Sequence, residues 1–112
     1  MSTFVVDIDG TLCKSQPGCD YSLCDPITEV IDKVNEAYDN GHHIILYTAR
    51  GMRSNKGVIS QIHVNVLPTL KEWLNRHNVK YHHLQLGKPW GDDVWYIDDR
   101  ALRPDEFITK DI

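Results

Sequence analysis

Apolar positions in this chain follow two rhythms. Between residues 3 and 8 they are almost continuous and β-branched or aromatic (Phe4, Val5, Val6, Ile8), the pattern of a strand covered on both faces. Ile44-Ile45-Leu46-Tyr47 repeats that pattern, a third strand is predicted from Tyr81 to Leu86, and a fourth over Val94-Trp95-Tyr96-Ile97. The second rhythm is helical. Asp25-Pro26 offers a cap and a first-turn proline, after which Ile27, Val30, Ile31, Val34, Ala37 and Tyr38 recur at helical spacing until Gly41. Pro68 opens a second helix through Leu70, Trp73, Leu74 and His77. Residues 10–24 hold Gly10, Pro17 and Gly18 without any period and predict a loop. Residues 52–66 fit either a helix or a strand, and the tail from Ala101 is expected to wrap the surface.

Strands alternating with helices in this order predict an α/β fold, a Rossmann-like, doubly wound and mainly parallel sheet flanked by helices. At 112 residues, with no repeat or linker, the chain reads as one domain over 1–112. Four predicted strands end in reactive polar residues: Asp7 and Asp9, Thr48, Lys88, and Asp98-Asp99. In open parallel sheets ligands bind along that edge. Asp92 and Asp93 precede the fourth strand instead, so an extended span puts them roughly 16 Å from Asp98, at the opposite edge.

Asp7-Ile8-Asp9-Gly10 carries the sharpest chemistry. Gly10 can turn the chain straight after the strand, aiming the second carboxylate independently of the first. Two acids so close in different surroundings suit a nucleophile and a proton donor. If Asp98 or Asp99 converges on them, the crowded negative charge demands a cation, and oxygen ligands favour Mg²⁺. Asp7, Asp9, Asp98 and Asp99 are therefore the candidate metal ligands. The Thr48 hydroxyl and the Lys88 ammonium suit phosphate oxygens. A small phosphomonoester fits this set, with Asp7 attacking phosphorus and Asp9 serving as acid and then base.

Charge and composition narrow the classes. A net charge of −4 argues against a nucleic-acid partner. No apolar run is long enough to span a membrane, and no leader precedes the first strand. Three cysteines (Cys13, Cys19, Cys24) without a leader predict reduced thiols and a cytoplasmic setting, and their spacing lacks a zinc pattern. The pairs His42-His43 and His82-His83 read as polar strand edges. Trp73 belongs to a core stripe, and Trp90 is expected to pack.

The motifs and their order resemble the haloacid dehalogenase superfamily, whose phosphatases carry D-x-D-G-T after a strand, a Thr or Ser closing the next strand, a lysine, and an acidic pair. The resemblance implies Asp7 as nucleophile and Asp9 as acid/base. It implies Mg²⁺ held by Asp7, the backbone carbonyl of Asp9 and the carboxylate of Asp98. T-A-R at Thr48, Ala49 and Arg50, together with G-K-P-W at 87–90 and I-D-D-R-A-L-R-P-D-E-F at 97–107, is similar to small phosphatases of capsular polysaccharide biosynthesis. That implies a sugar phosphate or phosphorylated glycan substrate, with Thr48, Ala49, Arg50 and Lys88 binding it. The intervals that hold caps in the superfamily, 12–25 and 51–87, are short, so no cap domain is expected. The 12–24 loop, or a second subunit of a homo-oligomer, would then close the site. Two rival functions are a phospho-accepting signalling module of the receiver type and a nucleotide or polynucleotide phosphatase.

Overall fold

The structure, a computed structural model, describes residues 1–15 and 20–112. Its elements run β1 (Thr3–Asp7), a 3-10 turn (Tyr21–Leu23), α1 (Thr28–Asp39), β2 (His43–Tyr47), α2 (Ile59–Asn65), α3 (Leu67–Arg76), β3 (His83–Gln85) and α4 (Pro104–Ile108). The sheet has the order β1-β2-β3 and is parallel throughout, with Asp7 level with Tyr47 and Tyr47 level with Gln85. The three strands therefore end at one edge. The expected α/β, Rossmann-like class without a cap holds.

Packing explains the helices. Val30, Ile31, Val34 and Ala37 form the buried stripe of α1, and Leu70, Trp73 and Leu74 that of α3. They close over Ile8, Leu12, Ile44 and Leu46 in one core. Gly41, at φ +90°, ends α1: its N–H donates to Tyr38 O at 3.1 Å while His42 N–H reaches back to Ala37 O at 3.0 Å. A residue with a Cβ would be strained there. Inside the core the Trp73 indole N–H donates to Cys24 O at 2.9 Å. This satisfies the buried donor and fastens the loop before α1 to α3.

Several expectations change. The helix cap is Ile27 rather than Asp25, and it makes no side-chain cap bond. The ambiguous stretch resolves as α2, which the Pro68 turn of α3 follows after Val66. The tail does more than wrap the surface, because it forms α4, whose Phe107 is buried with its ring centroid 5.3 Å from that of Phe4. β1 is not covered on both faces: Val5 is 60% exposed. No fourth strand forms over Val94–Ile97; that segment is irregular and exposed. The expectation for Cys19, and the centre of the 12–24 loop, lie outside the described residues.

Candidate active site

Asp7 is the last residue of β1, and the turn after it is built on one carbonyl. Ile8 O accepts from the N–H groups of Thr11, Leu12 and Cys13 at 2.8–3.2 Å, while Gly10 N–H donates to Cys13 O at 2.8 Å. Gly10 sits at φ +84°, which only glycine adopts without strain. Ile8 and Leu12 bury themselves beneath the turn, so Asp7 and Asp9 are held above the core at the mouth of a cavity of about 930 Å³.

The opposite wall comes from the ends of β2 and β3. Thr48 N–H donates to Gln85 O at 3.0 Å and Lys88 N–H to Thr48 O at 3.1 Å, so the two strand ends are laced together. This brings Lys88 Nζ to 3.4 Å from Asp7 Oδ1. Burial raises the Asp7 carboxyl above its usual pKa, and the Lys88 charge pulls back against that effect without cancelling it. Lys88 also lies under the Tyr96 ring, 4.2 Å from its centroid.

Asp9 has a different partner. Arg50 donates through Nε to Asp9 Oδ2 at 3.0 Å and through Nη2 to Oδ1 at 3.1 Å, a forked, charge-assisted contact. The guanidinium is buried and stacks over the Tyr21 ring at 4.4 Å. Burial works against its charge, but the bonds to Asp9 outweigh that and leave its pKa raised. Arg50 Nη1 is buried with no hydrogen-bond partner among the described residues. A buried donor without a partner is costly, so this end of the guanidinium is held at the expense of stability.

Asp9, Cys13 and Cys24 place one donor atom each within 4.8 Å of one another. Soft-metal binding needs thiolates. Burial, reinforced by the Asp9 charge, pushes the Cys13 thiol up to about 12, and it donates to Asp9 Oδ1 at 3.4 Å. This cluster is a hydrogen-bonded support for Asp9.

The residues singled out from sequence divide into three groups. Asp7, Asp9, Ala49, Arg50 and Lys88 all line the cavity. Thr48 lies fully buried behind it, with its hydroxyl oxygen accepting from Arg50 N–H at 3.0 Å, so here it shapes the loop that carries Arg50. Asp98 and Asp99 are exposed and do not line the cavity; Asp98 accepts from Arg100 N–H in a local turn. The strand that would have carried them to Asp7 is absent. The same absence moves Asp92 the other way: it lines the cavity, 3.8 Å from Arg53, instead of sitting at the far edge. Trp90 also lines the cavity and is exposed rather than packed, with Arg53 over its ring at 5.7 Å. Tyr21 and Tyr96 also line the cavity; Tyr21 carries no signal beyond being an aromatic in a loop, and Tyr96 falls in the predicted fourth strand.

No family model matches the chain, and no curated protein does. A crystal structure from Vibrio cholerae is 41% identical over 100% of this chain and 91% of its own, and superposes with a TM-score of 0.93. The two chains belong to one family. A second solved structure, D,D-heptose 1,7-bisphosphate phosphatase from B. bronchiseptica complexed with magnesium and phosphate, matches 83% of this chain and 52% of its own at TM-score 0.53 and 12% identity. That likeness is one of fold. No helix among the described residues is long and apolar enough to cross a membrane.

Proposed function

We propose that this protein is a magnesium-dependent phosphomonoesterase of the haloacid dehalogenase type, contained in one domain and working through an aspartyl-phosphate on Asp7 in a cytoplasmic setting. The observation that carries this reading is the pairing of two carboxylates with two cations at one strand edge: Asp7 with Lys88, and Asp9 with Arg50. A phosphate dianion between Lys88 and Arg50 would compete with Asp9 for the guanidinium. The fold likeness to a heptose bisphosphate phosphatase supports the same class.

The donor set suits magnesium. That ion usually takes one or two carboxylates, with waters and substrate phosphate oxygens completing its shell. Asp7 is a half-buried carboxylate whose charge is disfavoured by desolvation, which a cation would relieve. Asp7 and the Asp9 backbone carbonyl would hold the ion; in one copy of the chain Asp98 and Asp99 do not reach it. When bound, magnesium would neutralise charge on the phosphate oxygens.

The chain's own groups account for the rest. Lys88 and Arg50 orient the phosphate, and an Asp7 oxygen attacks phosphorus as the ester P–O bond breaks. With Arg50 drawn onto the phosphate, Asp9 takes up a proton from solvent or from the singly protonated monoester and gives it to the departing alkoxide. Asp9 then takes a proton from the water that attacks the acyl phosphate, releasing inorganic phosphate and restoring Asp7. Tyr21, Trp90 and Tyr96 line the cavity and favour a sugar ring on the leaving group, a sugar phosphate or phosphorylated glycan precursor. A receiver-type module is disfavoured because Asp7 closes an edge strand, whereas the middle strand leads into Thr48.

Hydrolysis of p-nitrophenyl phosphate with Mg²⁺ tests this. EDTA is expected to abolish turnover reversibly, and Asp7→Asn to lower kcat on the order of a thousandfold or more. Turnover that survives either change contradicts the reading.

A further inference from the structure

The cavity has a floor and a rim that differ in charge. The floor holds Asp7 with Lys88 and Asp9 with Arg50, two ion pairs whose side chains are at most 34% exposed and whose charges cancel. The rim holds Lys14, Arg53 and Asp92, two cations against one carboxylate. Among the described residues these seven are all the charged groups that line the cavity. It therefore carries one surplus positive charge, in a chain whose net charge is −4. A magnesium ion and a phosphate dianion bound together at the floor would cancel each other and leave that surplus in place.

The rim cations are only loosely committed to the protein, while the backbone that carries them is fastened. Arg53 lies 3.8 Å from Asp92, beyond hydrogen-bond distance, and the two side chains are 75% and 80% exposed. A pair so exposed holds its partners weakly. Lys14 is exposed and makes no ion pair among the described residues. Its N–H nevertheless donates to Asp25 O at 2.9 Å, which fixes the chain there. The loop of Arg53 is pinned by Asn55, whose Nδ2 donates to Gly51 O at 3.0 Å and whose Oδ1 accepts from Asn65 Nδ2 of α2 at 2.7 Å. The Arg53 guanidinium stands over the exposed Trp90 ring. A phosphate fills a small part of about 930 Å³, so the rest of a substrate meets this rim.

We propose that the rim is a second anion subsite, and that the substrate is a sugar phosphate bearing a further anionic group, a carboxylate or a second phosphoryl, held by Lys14 and Arg53. Arg53 offers a planar fork to either group and Lys14 a point charge. Trp90 carries the apolar face of the sugar beside them. Asp92, released from Arg53, accepts from a sugar hydroxyl. That the floor takes the reacting phosphate rests on the function proposed above; the charge selection at the rim is read separately.

Calorimetric titration of the Asp7→Asn protein in Mg²⁺ reads binding without turnover. The three probes share one ring: glucose 1-phosphate, glucuronic acid 1-phosphate and glucose 1,6-bisphosphate. At least one of the two doubly anionic sugars should bind about tenfold tighter than glucose 1-phosphate, as two exposed ionic contacts allow. Which of them does so tells a carboxylate from a phosphoryl group. Lys14→Gln and Arg53→Gln, introduced separately at exposed side chains, should each shrink that ratio, and raised salt should shrink it too. Equal binding of all three sugars, binding of none, or a ratio that persists in both variants overturns the proposal. Hydrolysis of p-nitrophenyl phosphate by wild type decides the phosphatase reading by itself. If it is absent, that reading falls alone and the binding ratios still decide the rim.

Discussion

Phe4-Val5-Val6 and Val94-Trp95-Tyr96-Ile97 have nearly the same character, β-branched or aromatic and followed at once by aspartate, yet they reach opposite states. The first lies in a strand whose register with β2 runs from Thr3 to Asp7, and it holds Asp7 beside Lys88. The second makes no ladder, stands in solvent and leaves Asp98 in a local turn. What separates them is the neighbour. β2 follows α1 closely enough to be laid beside β1 by the helix stripe that Val30, Val34 and Ala37 bury. Residues 94–97 come after a loop whose contacts, Lys88 to Asp7 and Tyr96 to Pro89, hold the chain across the cavity instead. Strand propensity is a readiness to pair, and pairing is decided by what else the chain is tied to.

The contrast can be pressed hardest at a buried tryptophan. Trp73→Ala removes a fully buried ring and the N–H bond to Cys24 O, and is expected to cost about 3–5 kcal/mol in urea unfolding. A loss below about 1 kcal/mol would mean that α3 is not the anchor it looks to be. Next in size is an electrostatic effect at the first aspartate. Lys88 is the foremost influence lowering the Asp7 pKa against burial. Asp7 must be ionised to attack, so activity falls as pH drops through its raised pKa. Lys88→Met should move the acid limb of kcat/KM to higher pH, and an unmoved limb would separate Lys88 from Asp7. Stability runs the opposite way with pH: a raised carboxyl pKa penalises the folded state above that pKa, and the penalty is gone below the ordinary value of 3.8. The smallest effect belongs to the exposed tryptophan. Trp95→Ala should change unfolding by no more than about 0.5 kcal/mol, because the ring is 82% exposed, and a larger loss would show that 94–97 packs within its own chain.

Much of this arrangement could be read from residues alone, and the failures share a cause. The helical stripes at Val30–Ala37 and Leu70–Leu74 and the strand ends at Asp7 and Lys88 were visible because each is set by local period plus a nearby turn residue. Arg50 was singled out through its place after Thr48, but its fork onto Asp9 was not, since 41 residues separate the partners. Thr48 sits behind the wall because its hydroxyl oxygen is taken up in shaping the loop. Asp92 is displaced by one assumption, that 94–97 completes the sheet, whereas the expectation that Trp90 packs rests on its apolar ring alone. Once that strand is removed, the distance reckoned along it has no meaning, and the loop is free to line the cavity. Tyr21 carries no periodic signal and Tyr96 reads as part of the absent strand; each ring covers a cation of the site.

The central claim is a covalent bond between phosphorus and Asp7. Wild type mixed with p-nitrophenyl phosphate and Mg²⁺, quenched in acid within a turnover and digested for mass spectrometry, should carry one phosphoryl group on the peptide containing Asp7. The Asp7→Asn protein treated identically should carry none. Steady turnover with no phosphoryl group at Asp7, or with the group at another residue, contradicts the account.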